Sequence, residues 1–156
     1  MQEAMKRRNL HLSCSLRETR AEPDCVTSAR EFGHGAATIL LVEDETFVRD
    51  VACEILSSGG YRVLQARNAA EAAETFRAQP EAVQLILADV VLPDRNGCDM
   101  ALELVPGTGT RVIFISGYPV NRITRNGLQQ PGWFYLPKPF SAVSLLQKVR
   151  EALSEV

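Results

Sequence analysis

The chain has 156 residues, enough for one domain with a full core. A hydrophobic fraction of 46%, a charged fraction of 23% and a formal net charge of -2 describe an ordinary globular protein. They exclude the basic excess of a nucleic-acid binder or of a protein held on an anionic membrane.

No apolar run approaches the roughly 18 residues of a membrane helix. The start MQEAMKRRNLHLSCSLRETR is basic but lacks the apolar stretch of a secretory signal. Cys14, Cys25, Cys53 and Cys98 form no C-x-x-C pair, and His11 and His34 both lie near the N-terminus, so no zinc site is expected. Scattered thiols without a signal point to a reduced, cytoplasmic protein.

Residues 1–37 mix charges, Ser, Pro23 and a Gly-His-Gly without a sustained period, and are expected to form a flexible N-terminal extension. A short helix over Met5 to Thr19 is compatible with the sequence but has no clear caps. A linker remnant or an overlong start fits this stretch equally well. The regular pattern begins at Thr38 and predicts one domain over 38–156.

TILLVE reads as a strand, and Val48, Val51, Ala52, Ile55 and Leu56 then recur at helical spacing until Gly59-Gly60. YRVLQA is a second strand. Asn68 with Glu71 resembles a capping box, opening a helix with Ala69, Ala72, Ala73 and Phe76 on one face and Pro80 at its end. VQLILAD is a third strand, apolar enough to be buried on both faces. A short helix follows Gly97 and ends before Pro106.

RVIFIS is the fourth strand, VNRITRNGL a weak polar helix, and WFYLPK the fifth strand. Ser141 then caps an amphipathic helix with Ala142, Leu145, Leu146, Val149 and Leu153 inward. Five strands alternating with five helices predict an α/β fold with a parallel sheet covered on both sides. Chemistry in such sheets sits at the carboxyl ends of the strands.

The strand ends collect the polar residues. Glu43 and Asp44 follow strand one, Asp89 ends strand three, Ser116 ends strand four and Lys138 ends strand five. Taken singly each has a plain reading: Asp89 as a cap, Ser116 as a turn residue, Lys138 as a surface cation. Taken together, three carboxylates repel one another unless cations compensate. Lys138 and a hard divalent ion, Mg²⁺, would do so. Such a site suits phosphoryl transfer to a carboxylate nucleophile.

ILLVEDE, LILADVVLPDRNG, VIFISGY and YLPKPF together resemble the successive motifs of the receiver domain of two-component response regulators. The versions FISGY and LPKPF most resemble receivers of hybrid histidine kinases or stand-alone receivers. The resemblance implies a (βα)5 doubly wound, flavodoxin-like fold with strand order 2-1-3-4-5. It implies Asp89 as phosphoacceptor and metal ligand, with Mg²⁺ bound directly by Asp44, further held by the backbone carbonyl of Val91, and assisted through water by Glu43. It also implies Ser116 and Lys138 on the phosphoryl group, Ser116 and Tyr135 as the switch pair, and a cis bond between Lys138 and Pro139. Glu43 stands where Asp is more frequent, and Ser116 where Thr is common.

The implied function is that of a phosphoacceptor in a phosphorelay. The chain would take a phosphoryl group from a phosphohistidine on a histidine kinase or histidine phosphotransfer protein, assisting the reaction without being a kinase. No histidine follows His34 to serve as donor. A downstream protein would read the face of the fourth helix, fifth strand and fifth helix. No output domain is expected after Val156, and neither nucleic acid nor membrane is an expected partner. Val91 and Tyr118, each two residues past a site residue, are expected to shield a phosphoryl group from hydrolysis.

Three rival readings fit the sequence less well. A phosphate-independent pseudo-receiver binding module would not need the intact acid, hydroxyl and lysine set. A phosphatase would want a second acid where Val91 stands. A flavin protein would want a phosphate cradle where EDET stands.

Overall fold

The computed structural model describes residues 36–119 and 130–154. Residues 1–35 of the expected N-terminal extension, the short helix over Met5 to Thr19 and the weak polar helix starting at Val120 lie outside the described residues.

Five strands form one parallel sheet: β1 (Thr38–Val42), β2 (Arg62–Ala66), β3 (Val83–Asp89), β4 (Arg111–Ser116) and β5 (Trp133–Pro137). Their spatial order is β2-β1-β3-β4-β5, as expected. Four helices are described: α1 (Thr46–Ser58), α2 (Ala69–Ala78), α3 (Gly97–Leu104) and α4 (Ala142–Ser154). None of them is long and apolar enough to cross a membrane.

The alternation of side chains along a strand divides the interior into two cores. Leu40, Val42, Ile86, Ala88, Val112 and Phe114 pack under α2 and α3, with Phe76, Met100 and Leu104. Ile39, Leu41, Leu85, Leu87, Ile113 and Ile115 pack under α1 and α4, with Leu56, Leu145 and Val149. The central strand β3 is buried along its length except at Gln84, which suits a strand covered on both faces. Near the amino end of the sheet, Phe114 and Trp133 meet edge to face, with ring centroids 5.1 Å apart.

Two helix faces differ from expectation. In α1 the buried stripe is Arg49, Ala52, Cys53 and Leu56, while Val51 is 37% exposed. The stripe keeps helical spacing, but it passes through a charged residue that apolar periodicity skips. In α4 Ala142 is exposed and Ala152 is buried instead, so the inward stripe runs through Leu145, Val149 and Ala152.

The helix starts are closed by side chains. Asn68 accepts from the Glu71 amide at 2.8 Å. Glu71 reaches back to the Arg67 amide at 2.8 Å, one residue earlier than a capping box would require. Asn96 accepts from the Cys98 amide at 2.7 Å, and Ser141 from the Ser144 amide at 3.1 Å. A further cap comes from a distance: Asp94, on the loop leaving β3, accepts from the amides of Ala69 and Ala70 at 2.9 Å each. Desolvation opposes the charge of Asp94, but its backbone hydrogen bonds, those from Ala69 and Ala70 first, together outweigh it and hold the carboxyl below the usual range.

Candidate functional site

Register alone assembles the site. Val42 pairs with Ala88, so Glu43, the next residue, comes alongside Asp89. Asp89 pairs with Ile115, which places Ser116 one step beyond it. Ser116 pairs with Pro137, which places Lys138 one step beyond that. The ladder continues past the strands: the Val90 amide donates to the Ile115 carbonyl at 3.0 Å and the Lys138 amide to the Ser116 carbonyl at 2.9 Å. The period of two then decides sides. Glu43, Asp89 and Lys138 share the parity of the strand residues under α1 and α4, and their side chains meet there.

Lys138 bridges two acids. Its Nζ lies 2.6 Å from Asp89 Oδ2 and 2.9 Å from Glu43 Oε2. Asp89 Oδ1 accepts from the Val91 amide at 2.8 Å, and Glu43 Oε1 from the Glu45 amide at 3.1 Å. Both carboxylates are thus held at both oxygens. Glu43 is 1% exposed and Asp89 8%, while Asp44 lies open to solvent. The peptide bond from Lys138 to Pro139 is cis, as expected.

Burial pushes the Glu43 carboxyl above its ordinary range; the hydrogen bonds from Lys138 and the Glu45 amide pull it back in part, and the charge of Asp89 adds to the rise. Burial also works against the charge of Lys138, but its bonds to Asp89 and Glu43 outweigh that and hold it above the usual lysine value. The ammonium therefore stays protonated at neutral pH.

Glu43, Asp44 and Asp89 each offer an oxygen within 4.8 Å of the others. The three carboxylates are thus close enough together that they could hold one divalent ion. Among the described residues, three carboxylates meet the one ammonium of Lys138 in this contact cluster, an excess of negative charge that a divalent ion would offset. The donor set is all oxygen, as a hard cation requires.

Ser116 is buried at 1% exposure, and its Oγ accepts from the Tyr118 amide at 3.0 Å. The Tyr135 hydroxyl contacts the carbonyl of Ser116 at 3.1 Å and that of Tyr118 more closely. This ring lies against the turn that carries Ser116. Val91 and Tyr118 are 57% and 56% exposed, large apolar surfaces on the loops at the carboxyl edge of the sheet.

Every residue singled out in the sequence therefore lies at this edge. Three further contributors were not singled out. Arg49 lies beneath the Glu43–Asp44 turn, Asp94 ties the loop after Asp89 to α2, and Gly97 presses against the Asp89 backbone. Arg49 left a signal, a charge on an otherwise apolar stripe. Asp94 left none, because its partners are far away in the sequence.

The sequence model of the response regulator receiver domain matches residues 39–150. The chain is 37% identical to the sensor kinase CckA of Brucella abortus over 122 residues, covering 78% of this chain and 13% of that one. It is 33% identical to the transcriptional regulatory protein CpxR of Klebsiella pneumoniae, covering 74% of this chain and 48% of the other. It thus spans about an eighth and about half of these two relatives.

Among solved structures, the receiver domain of the hybrid histidine kinase CckA superposes with a TM-score of 0.66 at 32% identity, over 76% of this chain and all of the other. A CheY-like receiver domain protein from Methanospirillum hungatei gives 0.62 at 32% identity, over 78% and 96%. With the acids, the lysine and the strand order all in place, the chain belongs to the response regulator receiver family.

Proposed function

We propose that Asp89 accepts a phosphoryl group from a phosphohistidine on a histidine kinase or histidine phosphotransfer protein. One observation carries the reading: Lys138 binds Asp89 and Glu43 together while Asp44 stands open beside them. In the transfer, an Asp89 oxygen forms a bond to phosphorus as the bond from phosphorus to the imidazole nitrogen breaks. The imidazole keeps the electron pair and regains its proton from solvent.

Glu43, Asp44, Asp89 and the Val91 carbonyl would hold Mg²⁺, which when bound draws charge from the phosphoryl oxygens. The chain's own groups do the rest. The Val91 amide and Lys138 orient the Asp89 carboxylate, and the buried strand beneath it is a rigid mount. Lys138 then pairs with an oxygen of the transferred group, and the Ser116 hydroxyl donates to another. The Ser116 Oγ already accepts from the Tyr118 amide and can donate at the same time, which is how the acceptor would be coupled to the following turn. Tyr135, hydrogen-bonded to that same turn, would follow, and so pass the change to the face around β5 and α4.

The chain acts as an acceptor that assists its own phosphorylation and dephosphorylation, and not as a kinase. It offers no histidine after His34. Val91 and Tyr118 cover the approach of water and would lengthen the life of the phosphoryl group. The domain is assigned to residues 38–156, with 1–37 as an extension. The reduced thiols fit a cytoplasmic setting.

Acetyl phosphate with Mg²⁺ tests the reading. The wild type should gain the mass of one phosphoryl group, and Asp89→Asn should not. Failure to label from acetyl phosphate and from every histidine donor would instead favour a phosphate-independent binding module.

A further inference from the structure

Arg49 is a charged residue on the buried stripe of α1, where Ala52, Cys53 and Leu56 surround it at helical spacing. It is only 9% exposed. Its Nη1 donates to the Glu43 carbonyl at 2.9 Å and makes a longer contact of 3.5 Å with the Asp44 carbonyl. Its Nη2 lies 3.5 Å from Thr46 Oγ1. A buried guanidinium is costly unless its donors are used and its charge is balanced. The Nη1 donors go to backbone oxygens of the turn between β1 and α1, and Nη2 faces a side-chain hydroxyl at the start of α1. No ion pair balances the charge within contact distance among the described residues.

The balancing charges lie across that turn. Glu43 and Asp44 point their carboxylates toward Asp89, while their carbonyls point back to Arg49. Both carbonyls meet the one nitrogen Nη1 while Nη2 faces Thr46 Oγ1, so the planar fork spans from the turn to the first residue of α1, which the point charge of lysine cannot do as well. The cap residue of α1, Glu45, makes no side-chain cap hydrogen bond; it braces the turn only through its amide, which donates to Glu43 Oε1 at 3.1 Å. A simple packing role would be better served by leucine or methionine at this position, which would bury no charge.

We propose that Arg49 is a positioning residue for the acid pair. It fixes the turn so that Glu43 and Asp44 both face Asp89, and its charge offsets their mutual repulsion from beneath. The inference rests on the assignment of Glu43 and Asp44 as ligands of a divalent cation. Outer partners that orient ligating groups commonly change metal affinity by about 10–100-fold when removed.

The test is direct Mg²⁺ titration of the whole chain, followed by calorimetry or amide chemical shifts, without any phosphodonor. Arg49→Met, of similar length and uncharged, should bind Mg²⁺ at least about tenfold more weakly. Arg49→Lys should fall between it and the wild type, since it keeps the charge but not the fork. Labelling by acetyl phosphate at saturating Mg²⁺ should recover to within about threefold of wild type in Arg49→Lys, a loss of metal affinity rather than of chemistry.

Arg49→Met with a native circular dichroism spectrum and Mg²⁺ affinity within twofold of wild type would overturn the proposal. If Arg49→Met does not fold, Arg49→Lys decides, and unchanged Mg²⁺ affinity in that variant overturns it as well. Asp44→Asn separates the two levels. If it too binds Mg²⁺ normally, the ligand assignment fails. If it loses binding while the Arg49 variants do not, only the role of Arg49 fails.

Discussion

Replacing Gly97 with alanine should damage the site without touching a charged group. Gly97 heads α3, where alanine would ordinarily gain roughly 0.5–1 kcal/mol from helix propensity. Here a Cβ would sit 2.2 Å from the Asp89 carbonyl oxygen, 3.2 Å from its carbon and 3.4 Å from Val90 Cα. Carbon and oxygen must separate by about 0.8 Å to reach even a close contact of about 3.0 Å. Both atoms belong to backbone, and the Gly97 amide is tied to the Val90 carbonyl at 2.8 Å, so no flexible side chain can absorb the shift.

Overpacking of this kind costs about 1–3 kcal/mol, and the rigidity of both partners places this case near the top. After the propensity gain, the net loss should be about 2 kcal/mol. The displaced atom belongs to the acceptor residue, and a shift approaching 1 Å at a reacting group can cost about 10²-fold in rate. Urea unfolding would measure the first effect and the initial rate of acetyl-phosphate labelling the second. Gly107→Ala is the control: its positive φ of 80° costs strain, but nothing lies within 4 Å of a Cβ there, and labelling should be unchanged. A Gly97→Ala protein as stable as wild type and labelling within threefold of it would refute the reasoning.

Lys138→Met removes the one ammonium in contact with Asp89 and Glu43 and should slow labelling by about 10²-fold or more, read by the same mass assay. Glu43→Gln should become relatively more favourable for the metal-free fold as pH rises. Burial raises the folded pKa of Glu43, so its ionisation costs the wild type stability as pH climbs through the interval above 4.5, and the amide escapes that cost. Urea midpoints of both proteins at pH 4 and pH 7 without Mg²⁺ would show the gap opening in favour of Gln, and a gap opening the other way would refute it. Cys98, its thiol pushed up to about 11 by burial and the charge of Asp99, should resist a thiol reagent at pH 8 in the native protein, where only about a thousandth is thiolate. Val91→Asn and Tyr118→Ala should each shorten the phosphoryl lifetime, followed by loss of the added mass after donor removal; equal lifetimes would remove their shielding role.

The legible part of this molecule was carried by local patterns. The five strands were found within about a residue of their ends, because apolar runs bounded by turn residues leave little choice. The convergence of Glu43, Asp44, Asp89, Ser116 and Lys138 was legible because parallel strands bring their carboxyl ends to one edge whatever their order. The strand order itself came from the motif resemblance, since periodicity does not reveal neighbours.

The inward faces of α1 and α4 were less legible. Arg49 replaces an apolar residue at a buried position, so a hydrophobic pattern drifts onto Val51. The tightness around Gly97 was equally hidden, because a glycine at a helix start looks like a turn residue until the backbone behind it is seen.

The cap that Asp94 places on α2 gives the acceptor loop a remote sensor. The amides of Ala69 and Ala70 sit on another helix, yet their hydrogen-bond acceptor belongs to the segment that leaves Asp89. Their protons exchange with water when those hydrogen bonds open, and release by that segment is one way they open. Two ordinary alanines at the start of a surface helix thereby become a clock for how often the loop beside the acceptor lets go, and the clock can be read by hydrogen exchange with no label near the chemistry.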